Sequence, residues 1–140
     1  MKERLMQQAI ADALQADPRW PAGVDPIVSK KGFSFEDLQT AIAKTKFCVV
    51  IEEPDELEGV YGAAGFNERS TWTISVFTVE TFNKTGLDNI AAAILVRDIL
   101  SESNPGDYWA EPLTRCRIKM VGVSDGIVAR DVTFTAAYQS

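Results

Sequence analysis

The segment STWTISVFTVETF, residues 70–82, is the clearest strand in the chain and decides the fold class. Over 72–76 large apolar residues alternate with hydroxyl residues, and this period of two places the apolar side chains on one face of a strand. Phe77 and Val79 then add apolar side chains to the second face. The far end of this strand is therefore predicted to be covered on both faces.

Three more strands are predicted around it. Residues 47–51, FCVVI, form a continuous apolar run that is typical of a buried strand. Residues 115–123 alternate as a strand with Met120 among its inward-facing side chains, and residues 127–138 form another strand. Between the last two, Ser124-Asp125-Gly126 predicts a hairpin turn.

Three helices are predicted, over 2–16, about 34–44 and about 87–102. The first has one apolar stripe with helical spacing, formed by Leu5, Met6, Ala9, Ile10, Ala13 and Leu14. The third is apolar around most of its circumference, which is typical of a helix buried on more than one side. Its second cover is either the first helix or a neighbouring subunit.

These elements predict one α+β domain over residues 1–140. The expected architecture is a two-layer sandwich, in which a four-stranded, mostly antiparallel or mixed sheet is covered by helices on one face. A chain of 140 residues fits one domain of ordinary size. Trp20 is expected to anchor the long connection that follows the first helix.

The charge and composition narrow the class of function. The chain has 20 acidic and 14 basic residues, a net charge of −6, and an acidic surface repels both nucleic-acid phosphates and anionic membranes. No apolar run reaches the length of about 20 residues that a membrane-spanning helix needs, and the amphipathic start lacks the apolar core of a signal peptide. We expect folding in the cytoplasm, with Cys48 and Cys116 as buried, reduced thiols rather than a disulfide.

The sequence offers little for catalysis. It has no histidine, which removes the commonest general base and the commonest metal ligand. The glycines at 59, 62 and 65 lack the lysine and hydroxyl residue of a phosphate-binding loop. We therefore expect no enzyme activity, no cofactor and no metal site, while a carboxylate-dependent or lysine-dependent enzyme remains the alternative.

The acidic run after the second predicted strand is the leading interaction segment. Residues 52–58 hold five carboxylates in seven positions, and with the glycines that follow they predict a long loop or an extended hairpin. The run is interpreted as a solvated loop, an interaction loop or a metal site. The predicted partner-contacting residues are Glu52, Glu53, Asp55, Glu56, Glu58, Tyr61, Phe66 and Arg69, and deletion of 52–69 is expected to leave the fold intact.

A second candidate interface involves the third helix and the segment after it. Tyr108 and Trp109 lie in a predicted loop, where they act either as interface anchors or as local packing residues. Arg97 and Asp98 lie among apolar residues of the helix, where they pair across a subunit interface or form an ordinary solvated pair.

The order of elements resembles a known family. The motifs that carry the likeness are RSTWTISVFTVETFN at 69–83, NIAAAILVRDIL at 89–100 and the closing hairpin, which ends on Phe134, Ala136 and Tyr138. The pattern is similar to the tail-terminator and tail-completion proteins of tailed bacteriophages, of the lambda minor tail protein U type. The likeness runs from about 1 to 138, and the long segment 17–34 departs from it.

This resemblance implies a structural virion protein of the tail or neck, made in the host cytoplasm. Such a protein forms a homo-oligomeric ring, typically a hexamer, that caps the tail tube and joins it to the head connector or stopper protein. DNA passes through the lumen without specific binding, and no membrane is involved. The alternative from another class is a small ligand-binding or regulatory α/β domain of a bacterial cell, which predicts an apolar pocket and a monomer or dimer.

Overall fold

The computed structural model describes residues 2–29, 35–54, 57–62, 65–79, 88–114, 116–124 and 126–139. Within these residues, three helices and six strands follow one another, with one 3₁₀ turn at Pro105–Asp107. They are α1 (Lys2–Ala16), β1 (Ile27–Val28), α2 (Phe35–Thr45), β2 (Phe47–Ile51), β3 (Leu57–Gly62), β4 (Gly65–Val79), α3 (Asn89–Leu100), β5 (Arg117–Ser124) and β6 (Ile127–Gln139).

The strands form one mixed sheet in the order β1-β2-β4-β6-β5, and β3 also pairs with β4. Only the β1–β2 pair is parallel among the described strands. The predicted α+β class and mixed sheet are confirmed, with six strands instead of four. Strand β1 escaped prediction because it has only two residues, and β3 was predicted only as one of two alternatives, a loop or an extended hairpin, because its glycines and Glu58 are depleted in strands.

Strand β4 is the centre of the sheet. It pairs with β6 along 67–79 on one edge, while β2 and β3 share its other edge. The alternation predicted for 72–76 is confirmed, because Trp72, Ile74 and Val76 are fully buried. Burial of each such side chain stabilises the fold by about 1.5–3 kcal/mol.

Helices α1 and α3 cover this apolar face. Met6, Ile10 and Leu14 of α1 are fully buried in the same cluster as Ala92, Val96 and Leu100 of α3. The expectation that the third helix is covered on a second side is met in part by α1. Helix α3 lies against β4 and β6, while α1 lies against α3, β1 and β2.

Helix α2 lies on the opposite face of the sheet. Leu38 and Ile42 pack against Cys48 and Val50, while the neighbouring residues of β2 face the other layer. Phe77 and Val79 are packed against this second cluster, so the predicted two-sided cover at the end of β4 is confirmed. The arrangement of helices on one face therefore holds for α1 and α3, and α2 adds a partial third layer.

Buried polar side chains join the layers. Asn89 donates from Nδ2 to the carbonyls of Val76 (3.1 Å) and Val128 (3.0 Å), and its Oδ1 accepts from Arg130 Nη1 at 2.8 Å. Gln7 donates from Nε2 to the carbonyl of Ile51 at 3.0 Å. These bonds hold α3 and α1 in register with the strands beneath them, because a buried amide left unpaired is costly.

Three local predictions have distinct outcomes. Trp20 anchors its segment as expected, since it is buried, donates to the Val24 carbonyl at 2.7 Å and stands edge-on to Phe47. Met120 was expected to face inward, but its side chain is 45% exposed. Leu5 leaves the apolar stripe of α1 and is 55% exposed, because α3 and the sheet contact only the face that carries Met6 and Ile10.

Candidate assembly surfaces

The segment predicted as a loop or extended hairpin forms a hairpin of β3 and β4. The register places Glu58 opposite Arg69, Tyr61 opposite Phe66, and Gly62 opposite Gly65 where the two strands end. Four of the eight predicted partner-contacting residues are thus gathered as two cross-strand pairs. Asp55 and Glu56 lie outside the described residues.

The hairpin is a continuation of the sheet. Residues 67–70 of β4 pair with β3 on one edge and with β6 on the other. Deletion of 52–69 would therefore remove β3 together with the part of β4 that pairs with 137–139. A shorter deletion, limited to residues near Gly62 and Gly65, tests the role of this segment without removing the part of β4 that pairs with β6.

Glu52 and Glu53 lie between β2 and β3. The Glu52 amide donates to the Thr73 carbonyl at 3.0 Å, which keeps the backbone attached to β4. Glu53 Oε1 lies 3.5 Å from Arg4 Nη2, and the Glu53 side chain is 53% exposed. An ion pair this exposed contributes little to stability. Because the Glu53 side chain is half exposed, much of its surface remains accessible to a partner.

The second group of predicted interface residues divides between core and surface. Trp109 is only 4% exposed, and its ring stands edge-on to Trp72 with centroids 5.4 Å apart. It therefore packs locally and presents no surface for a subunit contact. Arg97 Nε and Asp98 Oδ1 are 3.1 Å apart on the exposed side of α3, as expected for a solvated pair.

Tyr108 borders a shallow groove of about 460 Å³ between α1 and the 105–107 turn. Leu5, Ala9, Ala13 and Gly106 contribute apolar surface to it, and Gln8, Asp12 and Pro105 complete the lining. Gly106 has φ +66°, and a Cβ there would lie 2.7 Å from the Tyr108 ring and 3.1 Å from Ala9 Cβ. The missing side chain therefore lets the 105–107 turn approach Tyr108 and Ala9 closely.

A second cleft of about 380 Å³ lies beside α2. Its apolar surface comes from Val24, Ile27 and Phe47, and its carboxylates are those of Asp25 and Asp37. Cys48 also lines this cleft, and burial raises the pKa of its thiol to about 12. Burial likewise raises the pKa of Cys116 to about 11. Both thiols stay protonated near neutral pH and are weak nucleophiles.

Among the described residues, no group of three or more cysteine, aspartate or glutamate side chains is placed to hold a metal ion. Both cysteines are free, Cys48 buried and Cys116 half-buried. None of the helices described is both long enough and apolar enough to cross a membrane.

The outer edge of β5 is a surface that the sequence interpretation missed. Met120 and Val121, which is 57% exposed, lie at a register shift against β6. Arg117 and Lys119 are exposed on the same strand, whose outer edge pairs with no other described strand. The consecutive apolar residues Met120 and Val121 break the alternation and were the available signal for this bulge.

Comparison with known proteins finds a likeness of fold. No protein-family model and no curated protein sequence matches the chain. A chain in the solved structure described as "Virion of native gene transfer agent (GTA) particle" superposes with a TM-score of 0.65 at 18% sequence identity. The match covers 96% of this chain and 95% of that chain, so it includes the sheet and its helices together.

Proposed function

We propose that this protein is a structural component of a virion, and that within it the protein acts as a ring-forming tail terminator or neck protein. The observation that carries the proposal is the fold match to a virion chain, which runs nearly from end to end of both proteins. The order of elements, which resembles that of tail terminators of tailed phages, supports the narrower role. The proposed location is the tail or neck of the virion.

The surfaces of the described residues suit a protein that works by assembly. The β3–β4 hairpin extends the sheet past the covered core, and exposed apolar residues lie on α1, α3 and β5. The proposed partners are other copies of the chain, the tail tube protein and the connector or stopper protein. The net charge of −6 suits a passage that conducts DNA without retaining it.

The first test is the molar mass in solution, measured by light scattering after size exclusion, with negative-stain images of the same peak. A ring with a central channel, hexameric by expectation, supports the proposal. A second assay adds the protein to a polymerising tail tube protein, and the expected result is that tubes stop growing at the capped end. A protein that remains monomeric at millimolar concentration, alone and with tube protein, contradicts the proposal.

A second candidate function follows from the cleft beside α2. Its volume of about 380 Å³ is in the range of small-ligand pockets, and it combines apolar walls with carboxylates. This feature favours a small ligand-binding or regulatory domain. A ligand-dependent rise in melting temperature that Ala41→Trp abolishes would support that function, because the larger ring would fill the cleft.

A further inference from the structure

The outer edge of β5 is open over a short and well-defined stretch. Strand β5 pairs with β6 on one side, and no described strand lies on its other side. In such an edge strand, alternate residues direct their backbone N–H and C=O groups away from the sheet. The register with β6 is regular over residues 117–120 and shifts between Met120 and Gly122. Residues 117–120 are therefore the part of this edge to which another strand can be added.

The two faces of this stretch differ in chemistry. Ile118 lies opposite the buried Val132 and packs against the core cluster, but it is itself only half-buried. Met120 follows on the same face and is 45% exposed. Arg117 and Lys119 lie on the opposite face, and both are exposed. The apolar layer of the fold thus ends at β5 with two side chains that are incompletely covered, next to two cations.

The two cations form no ion pair within the part of the chain that the structure describes. The ion pairs found there lie elsewhere, and neither Arg117 nor Lys119 takes part in one. Asp131 lies opposite Lys119 on β6, but its Oδ1 accepts a hydrogen bond from Ser75 Oγ at 2.8 Å, on the side of β4. Residues 115–139 contain four basic and two acidic residues, in a chain whose net charge is −6. Because charges are screened over about 8 Å at physiological salt, a segment that docks on β5 meets these cations rather than the charge of the whole chain.

This pattern selects the chemistry of an added strand. Side chains directly opposite each other on neighbouring strands lie about 5 Å apart, so that opposite charges attract there and like charges repel. A second copy of β5, aligned so that its apolar side chains share the apolar face, would place cation against cation. The bulge after Met120 further opposes pairing between identical edges. An edge that only kept other chains away would need no apolar side chains, whereas Ile118 and Met120 gain cover from an apolar partner.

We propose that residues 117–120 of β5 accept an added β-strand from a neighbouring virion protein, a strand in which acidic residues alternate with apolar ones. Its acidic side chains face Arg117 and Lys119, and its apolar side chains cover Ile118 and Met120. Main-chain hydrogen bonds supply affinity in strand addition, and the alternating side chains supply specificity. The inference rests on the proposed function for the source of the strand, but strand addition itself is tested apart from assembly.

Amide hydrogen exchange, measured by NMR, detects an added strand directly. The probe is a synthetic peptide that alternates glutamate with valine. We expect the outward-directed amides within 117–120 to exchange at least about tenfold more slowly when the peptide is bound, because they become hydrogen-bonded. One control peptide alternates lysine with valine, and another has the composition of the probe with its glutamates grouped together. Neither control is expected to slow exchange at these residues.

Arg117→Glu with Lys119→Glu reverses the charge of this edge. We expect this protein to bind the glutamate–valine peptide at least about tenfold more weakly than wild type and to bind the lysine–valine peptide instead, since opposite charges then face each other. The matched control is Arg19→Glu with Lys46→Glu, which has the same net charge but changes no residue of β5 or β6, and which is expected to bind like wild type. Circular dichroism melts show whether each variant folds. If the charge reversal prevents folding, Arg117→Gln with Lys119→Gln is expected to lose the preference for glutamate over lysine.

The outcomes separate the two proposals. If exchange at 117–120 is unchanged at millimolar glutamate–valine peptide, or if wild type binds both alternating peptides equally, strand addition is refuted while the ring function stands. Slower exchange of the same amides in wild type alone, as its concentration rises, shows that a second copy occupies the edge and also refutes the proposal. If wild type accepts the peptide strand but forms no ring and does not cap tail tubes, strand addition stands and the proposed function fails.

Discussion

Replacing Trp109 by alanine is expected to lower the free energy of unfolding by about 3–5 kcal/mol, the usual cost of removing a buried aromatic ring. The burial and the ring contact of Trp109 account for this value. The ring is buried and packs edge-on against Trp72 with centroids 5.4 Å apart. An aromatic side chain buries about 150–250 Å², which at about 25 cal/mol per Å² corresponds to about 4–6 kcal/mol.

Phenylalanine at the same position is the informative comparison. The Trp109 indole nitrogen is buried with no hydrogen-bond partner among the described groups. An unpaired buried donor costs about 1–3 kcal/mol, so its removal offsets much of the lost ring volume. We expect Trp109→Phe to change stability by less than about 1.5 kcal/mol.

Urea unfolding of both variants, followed by tryptophan fluorescence and circular dichroism, measures these differences. Each kcal/mol corresponds to about 2–4 °C in melting temperature for a chain of this size. Tyr108→Ala, at the half-exposed neighbour, is the matched control and is expected to cost less. A Trp109→Ala protein that unfolds like wild type but no longer assembles would show that Trp109 is an interface anchor and that the core assignment is wrong.

Three further predictions test the local structure. Lys46 follows α2, has φ +62°, and donates its backbone amide to the Ile42 carbonyl at 2.8 Å. Glycine is favoured at such a helix end, so Lys46→Gly is expected to stabilise the protein by about 0.5–1 kcal/mol, measured by thermal unfolding. The same change at exposed Gln39 within α2 should destabilise by about 1 kcal/mol. Gly106→Ala is expected to lower the free energy of unfolding by about 1–3 kcal/mol. Gly126→Ala is expected to lower it less in the same assay, because both glycines have positive φ but only a side chain at 106 would crowd Tyr108. Because the pKa of Cys116 is raised to about 11 and that of Cys48 to about 12, the stability these thiols contribute is complete below pH 9 and is lost as pH rises through those values. Iodoacetamide should therefore label Cys116 slowly at pH 8 and faster toward pH 11, and rapid labelling of Cys48 in the native protein would contradict its burial.

The parts of the fold that the sequence predicted well have a repeating pattern. The alternation in 72–76, the apolar run 47–51 and the helical spacing in 2–16 each span enough residues to identify an element and its buried face. Strand β1 has two residues and no period, so its parallel pairing with β2 depends on distant contacts. Only Phe77 and Val79 indicated that a helix would lie on the opposite face, because their apolar side chains predicted that this face of β4 is covered as well.

The candidate surfaces were less predictable for a related reason. Trp109 lies outside any periodic segment, and only the three-dimensional fold brings it against Trp72 and Tyr138. Glu58, Tyr61, Phe66 and Arg69 were selected from a loop, but their cross-strand pairing follows from the hairpin register. The exposed edge of β5 depends on strand order, because the same sequence in a central strand would have been covered.

The central place of β6 has a consequence for biosynthesis. β4 takes its long partner from residues 127–139, which are separated from it by a helix and another strand. A nascent chain therefore carries β4 with one full edge open while 80–126 are translated, which takes about 2–10 s at about 5–20 residues per second. During that interval a holdase chaperone would find its binding site in residues 70–79, and ribosome-bound chains that stop before 127 should be captured far more readily than those that include 139.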